Sequence, residues 1–191
     1  SRLRDEANPG KGSSKPAVFL DRDGVVVEEV GFVSKPDQLQ VPDAVPEALK
    51  ELRERFLLIV VTNQSGIGRG YYTEENLLEI HTSLVTFLGE RGAAVDCIYF
   101  CPHHPTLAVP EYRQVCECRK PEAGMLLRAA NTWNIDLASS FMVGDAVTDM
   151  EAARAAGVIG IKVGQDPGEN LGPEPVVQSL EEAAELILDR L

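Results

Sequence analysis

Two aspartates one residue apart, set directly behind a short apolar run, constrain this chain more than any other stretch: Ala17-Val18-Phe19-Leu20, then Asp21-Arg22-Asp23-Gly24. An apolar run without polar alternation reads as a strand buried on both faces, and in open parallel sheets ligands collect beyond the carboxyl ends of such strands. Extended backbone from Asp21 to Asp23 points both carboxylates the same way, where they can share one cation or one phosphoryl group. Gly24 lets the chain turn away sharply. A solvated turn is the other reading of Asp-x-Asp-Gly, since both residue types favour turns.

The same arrangement of apolar run and polar tip recurs along the chain. Asp43 precedes a helix with Pro46 in its first turn and Val45, Leu49, Leu52 and Phe56 at helical spacing. A strand over residues 57–61 follows, ending in Thr62-Asn63-Gln64-Ser65-Gly66, for which a turn cluster is the simpler reading. Thr73 can cap a helix with Leu77, Ile80, Leu84 and Phe87 on one face; His81 beside that stripe reads as structural. A third strand spans 95–100, with Cys97 as a small buried hydrophobe. Pro121 is placed to open a helix carrying Met125, Leu126, Ala129 and Trp133.

A fourth strand over 140–143 ends in Gly144-Asp145-Ala146-Val147-Thr148-Asp149, with Asp145 projecting into the crevice and Asp149 capping or starting the next helix. A strand over 158–163, a Gly/Pro loop over 164–175 and a helix over 180–191 complete the pattern. Alternating strands and helices imply an α/β fold, a doubly wound, Rossmann-like parallel sheet with helices on both faces. One domain over 16–191 is expected behind a mobile polar tail over 1–15. Residues 25–42 are too few for a large cap domain, so loops must shield the site.

Four cysteines bear on the chemistry. Cys97 sits within a strand, but Cys101-Pro102-His103-His104 and Cys116-Glu117-Cys118 bracket a short loop. Three thiols and an imidazole match the tetrahedral set that zinc takes in closed structural sites, with redox chemistry or chance clustering as the alternative. His103 is the favoured fourth ligand, lying two residues from Cys101 as Cys116 does from Cys118; His104 is the fallback. A metal there would also fix where Arg119 and Lys120 point. A net charge of -12 disfavours nucleic-acid partners. No apolar run approaches a membrane span or signal peptide, so a cytoplasmic protein without membrane partners is expected.

Strand tips would then deliver Asp21, Asp23, Thr62, Asn63 and Asp145 to one sheet edge, with Lys120 nearby. Carboxylates around a cation-sized gap suit magnesium, and a carboxylate beside a metal and a lysine suits attack on phosphorus. In that order, Asp21-x-Asp23-Gly24, Thr62, Lys120-Pro121 and Gly144-Asp145-x-x-x-Asp149 resemble the motifs of haloacid dehalogenase superfamily phosphatases. The resemblance implies that Asp21 attacks phosphorus, that Asp23 serves as acid and base, and that Thr62 and Lys120 hold the phosphoryl group. It implies Mg2+ on Asp21, Asp23 (through its carbonyl) and Asp145, with Asp149 in support.

Cys101-Pro102-His103 with Cys116-x-Cys118-Arg119-Lys120-Pro121 narrows the likeness to a capless, zinc-containing subgroup, that of the heptose bisphosphate and histidinol-phosphate phosphatases. It implies structural Zn2+ on Cys101, His103, Cys116 and Cys118. A small phosphorylated sugar would meet Arg22, Gly24, Glu29, Val30, Gly31, Phe32, Asn63, Gln64, Ser65, Arg119 and Lys120. The motifs look more like the heptose enzymes, with histidinol phosphate or another small sugar phosphate as the alternative substrate, and a zinc-stabilised binding module as the alternative without turnover. Val27 and Ala146 depart from the heptose pattern, where polar residues and lysine are usual. A monomer is expected.

Overall fold

The computed structural model describes residues 2–3, 13–165 and 172–190. Its apolar runs pair as a seven-stranded sheet in the order β1 (Arg2–Leu3), β4 (Cys97–Cys101), β3 (Leu57–Asn63), β2 (Ala17–Leu20), β5 (Phe141–Gly144), β6 (Ile159–Val163), β7 (Val176–Val177). All pairs are parallel except β1 with β4.

Alternation along each strand sends side chains to opposite faces. Val18, Leu20, Leu58, Val60 and Ile98 pack on one face with α1 (Val45–Leu52), α3 (Glu74–Glu90) and α6 (Leu180–Leu188). Ala17, Phe19, Ile59, Val61 and Met142 pack on the other with α4 (Gly124–Trp133) and α5 (Val147–Ala156). The sheet is thus wound with helices on both faces, as the alternating pattern requires. From β2 the chain runs outward first through β3 and β4, later through β5 and β6, so the winding reverses at β2 and a crevice opens at its carboxyl end.

Several boundaries differ from the sequence reading. β3 continues through Thr62 and Asn63, and the presumed turn cluster holds a short helical turn, α2 (Ser65–Gly68). α4 begins at Gly124 rather than at Pro121, because the amides of Glu122 and Gly124 donate back to Arg119 and Glu117 in a turn. Leu88 rather than Phe87 completes the buried stripe of α3, the Phe87 ring instead lying under the Arg91 guanidinium. α6 ends at Leu188, and Leu191 lies outside the described residues.

Part of the expected tail is tied down. Arg2–Leu3 covers the edge of β4, which would otherwise present unpaired backbone groups, and Lys15 exchanges backbone hydrogen bonds with Asn134 and Asp136. Residues 1 and 4–12 lie outside the described residues, as do 166–171 of the Gly/Pro loop. Among the described residues no cap domain is inserted. Between β2 and α1 runs a loop anchored by the buried Val25, Val26, Val27 and Val33, with one 3-10 turn at Pro36–Gln38.

Candidate active site

The carboxyl end of β2 places Asp21. Its amide donates to Val143 O on β5 (2.9 Å), holding the residue in the sheet, while its Oδ1 accepts from the Arg22 amide (2.8 Å) and the Lys120 ammonium (2.9 Å). Lys120 Nζ also reaches Asp149 Oδ1 (2.6 Å) and Val61 O (2.9 Å), so all three of its protons are engaged in a position only 2% exposed. Asn63 clamps the Lys120 backbone from both sides, its amide donating to the carbonyl and its oxygen accepting from the N–H, each at 3.1 Å. Burial by itself would lower the lysine pKa, but the charges of Asp21 and Asp149 outweigh it and hold the ammonium above its ordinary range.

Asp145 joins this cluster from the tip of β5. Oxygens of Asp21, Asp145 and Asp149 lie within 4.8 Å of one another, a spacing that oxygen ligands about 2.0–2.6 Å from one hard cation can satisfy. Burial, then the charges of Asp21 and Asp149, push Asp145 up to about 7, because carboxylates without a cation repel. Two glycines make the close approach possible: a Cβ on Gly24, whose φ is +77°, would fall 2.1 Å from Asp145 Oδ2, and one on Gly144 would fall 2.3 Å from Asp149 Cβ. Asp149 bonds the Ala146 amide at the start of α5 (3.0 Å) as well as Lys120, so it caps the helix while serving the cluster.

Asp23 faces a different set. Arg22 grips its carboxylate through Nε and Nη2 (3.0, 2.8 and 2.9 Å), and Gln64 Nε2 donates to it (2.9 Å) and to Thr62 Oγ1 (2.8 Å). The Tyr72 hydroxyl donates to Gln64 Oε1 at 2.6 Å, and burial raises that phenol's pKa to about 12. Arg22 Nη1 lies 3.2 Å from His81 Nε2. The Asp23 side chain is therefore oriented apart from the Asp21, Asp145 and Asp149 group, leaving its carbonyl as its expected contribution to a shared cation.

A cavity of about 260 Å³ opens over these residues, lined by Arg22, Asp23, Glu29, Gly31, Phe32, Asn63, Gln64, Ser65 and Tyr72. Seven expected substrate contacts thus share one wall. Glu29 accepts from the Gly31 amide (2.7 Å) and shapes the rim, where exposed Phe32 meets Tyr71 (4.7 Å between centroids) and lies under the Arg69 guanidinium (5.6 Å). Val30 is exposed beside it. Val27 points into the core, so its departure from the heptose pattern is a packing feature and not a missing substrate contact.

The thiol cluster assembles as a tetrahedron. Cys101, on the last residue of β4, has its Sγ 3.6 Å from Cys116 and 3.2 Å from Cys118; Cys116 and Cys118 are 3.3 Å apart. His103 Nδ1 stands 3.7 Å from Cys101 and 3.5 Å from Cys118. Bonds of about 2.0–2.3 Å from a central ion give edges near these lengths. Contact with Cys101 pulls the Cys118 thiol down to about 5, favouring the thiolate that binds metal. His104 turns away, its Nδ1 accepting from the amides of Thr106 and Leu107, which leaves His103 as the imidazole of the set. Arg119 donates to His103 O (3.0 Å), so the loop that could hold a metal also anchors the segment carrying Lys120.

Sequence reasoning missed Tyr72 and His81, which complete the network around Asp23, and Gln114, whose carboxamide lies 2.7 Å from His103 Nε2 and orients that ring. Their signals are weak: each is a single polar residue on a helix or loop, and His81 lies 59 residues along the chain from Arg22.

Residues 117–183, which include Lys120, Asp145 and Asp149, match a family model described as HAD-hydrolase-like. The chain is 49% identical over 179 residues, 93% of its length and 92% of the other's, to D-glycero-beta-D-manno-heptose-1,7-bisphosphate 7-phosphatase of Yersinia pestis. It is 46% identical to the protein of that name from Escherichia coli K12, over 93% of this chain and 91% of the relative. The solved structure of D,D-heptose 1,7-bisphosphate phosphatase from B. bronchiseptica, complexed with magnesium and phosphate, superposes with a TM-score of 0.81 at 32% identity, covering 92% of this chain and 99% of that one. Such identity, sustained across nearly the whole of both chains and joined to the same fold, makes this chain a member of the haloacid dehalogenase superfamily, in the family of the heptose bisphosphate phosphatases.

Proposed function

We propose that the chain is a Mg2+-dependent phosphomonoesterase that removes the 7-phosphate of D-glycero-D-manno-heptose 1,7-bisphosphate. The observation that carries this reading is Lys120 Nζ, which reaches Asp21 and Asp149 at once (2.9 and 2.6 Å) from a buried position beside Asp145. Asp21, Asp145 and the Asp23 carbonyl would hold Mg2+, which supplies neutralisation of the phosphoryl oxygens when bound.

Lys120 and the Arg22 amide orient Asp21 through Oδ1, so Oδ2 is the attacking oxygen. It forms a bond to phosphorus while the bond from phosphorus to the sugar oxygen breaks, giving an aspartyl-phosphate. Asp23 gives its proton to the departing alkoxide. It then takes a proton from the water that attacks phosphorus, so the bond to Asp21 breaks and inorganic phosphate leaves. The Thr62 hydroxyl accepts from Gln64 and keeps its own proton to donate to a phosphoryl oxygen. The rim formed by Glu29, Gly31, Phe32 and Ser65 receives the sugar, and Arg119, anchored to His103 O, is the further substrate contact the family resemblance implies.

Zinc on Cys101, His103, Cys116 and Cys118 would be structural, since four protein ligands leave no open position. Three reduced thiols in that set suit a cytoplasmic enzyme. Ala146, where a lysine is usual in the heptose enzymes, brings no charge to the rim and keeps histidinol phosphate as the second reading.

Phosphate release from the heptose bisphosphate and from histidinol phosphate, with and without Mg2+, tests the assignment. Faster turnover of the heptose bisphosphate is expected, and equal or better turnover of histidinol phosphate would reverse the substrate assignment. Asp21→Asn should abolish release without loss of fold; full activity in that variant would remove the nucleophile.

A further inference from the structure

Arg22 is 1% exposed, and a buried guanidinium needs acceptors for its N–H groups. Nε and Nη2 find them on Asp23, and Nη2 also on Gln64 Oε1 (3.2 Å). Nη1 finds His81 Nε2 at 3.2 Å, on the buried face of α3 and 59 residues along the chain. A guanidinium only donates, so this contact requires an unprotonated Nε2, with the imidazole proton on Nδ1. Burial and then the Arg22 charge hold His81 well below its ordinary pKa, which keeps the ring neutral. Phe100 packs edge-on against the ring, 6.1 Å between centroids. From the opposite side the Tyr72 hydroxyl fixes Gln64, whose carboxamide bonds Asp23, Thr62 and Arg22 together.

We infer that His81 is a positioning residue: by accepting from Arg22 Nη1 it fixes the guanidinium plane that in turn orients the Asp23 carboxylate toward the reacting oxygen. The inference rests on the phosphatase reading above, in which Asp23 transfers the proton. Without an acceptor at His81, Nη1 loses a partner where the buried site offers little water in exchange, and the fork is held from one side only, by Asp23 and Gln64, with which it can shift as a unit. Asp23 then loses its aim while Asp21, Lys120 and the acidic cluster keep theirs.

The leaving group separates this from a general structural effect. A sugar alkoxide needs protonation as it departs, whereas p-nitrophenolate leaves without it, so a fault in Asp23 is felt on the first substrate and masked on the second. His81→Phe keeps an aromatic ring and deletes the acceptor, His81→Leu does so with a smaller side chain, and His81→Gln restores an oxygen near the site of Nε2. On the sugar phosphate, kcat/KM should fall about tenfold to a hundredfold in His81→Phe and His81→Leu, and less than about threefold on p-nitrophenyl phosphate, with His81→Gln close to the parent on both. Equal losses on the two substrates, or no loss on the sugar phosphate, overturn the inference while leaving the phosphatase reading intact. A parent chain that hydrolyses neither substrate overturns both.

Discussion

Replacing Lys120 by Met tests the centre of the site through stability as well as rate. Lys120 and Asp149 are 2% and 1% exposed and 2.6 Å apart, and the same ammonium holds Asp21 at 2.9 Å. Methionine keeps much of the volume but leaves Asp149 buried without its cation. Breaking a buried pair from one side costs about 3–5 kcal/mol. For a chain of this size each kcal/mol moves the midpoint by roughly 2–4 °C, so melting should fall by about 6–20 °C. The sign of the pH dependence follows. Burial already raises the Asp149 pKa against the pull of Lys120, and removing that pull raises it further. The folded variant then binds more protons than the unfolded chain above the ordinary carboxylate range, so its stability declines as pH rises from about 4 toward neutrality. Adding Asp149→Asn should recover part of the loss, and a double-mutant cycle gives the coupling. Thermal and urea unfolding in Mg2+-free buffer at several pH values are the assay, with phosphate release in the presence of Mg2+ alongside, expected to fall by about a hundredfold or more. A single variant melting within about 2 °C of the parent at pH 7, far inside the predicted drop, would refute the picture of an uncompensated buried charge.

Other expectations follow from the same geometry. With Asp145 up to about 7 before a cation binds, Mg2+ and the proton compete, so apparent Mg2+ affinity should weaken by about tenfold per pH unit below that value; Mg2+-induced shifts of the melting midpoint between pH 5.5 and 8 would show it, and a flat response would contradict it. One zinc per chain is expected by metal analysis, and Cys118→Ser or strong chelation should lower the melting midpoint and reduce activity by loosening the segment that carries Lys120. Gly24→Ala brings a Cβ 2.1 Å from Asp145 Oδ2 at a φ of +77°, and should cost about 1–3 kcal/mol of stability and weaken Mg2+ binding, measured by denaturation and titration.

The Asp21 and Asp145 tips and the four zinc-type ligands were legible because each is a local pattern: a polar residue directly after an apolar strand, or paired ligands spaced by one residue; Lys120, a lone basic residue, took its meaning from the company of these motifs. Parallel winding then brings the tips of β2, β3 and β5 to one edge, so the main cluster could be read without coordinates. Boundaries were less legible where backbone bonding outside the segment intervened, as in the turn that delays α4 to Gly124. The two-residue strands β1 and β7 carry no hydrophobic period of their own and exist through the edges they cover.

From the order of residues alone came the α/β winding, the acidic cluster with its lysine, and the metal-type thiol set, because hydrophobic period and ligand spacing are properties of neighbours in the chain. Tertiary structure alone decided that Val27 belongs to the core, that Asp149 shares Lys120, and that Tyr72 and His81 close around Gln64, Arg22 and Asp23. These are choices of side-chain direction and of partners on separate elements, set when helices and loops pack on the sheet, and no hydrophobic period or ligand spacing encodes them.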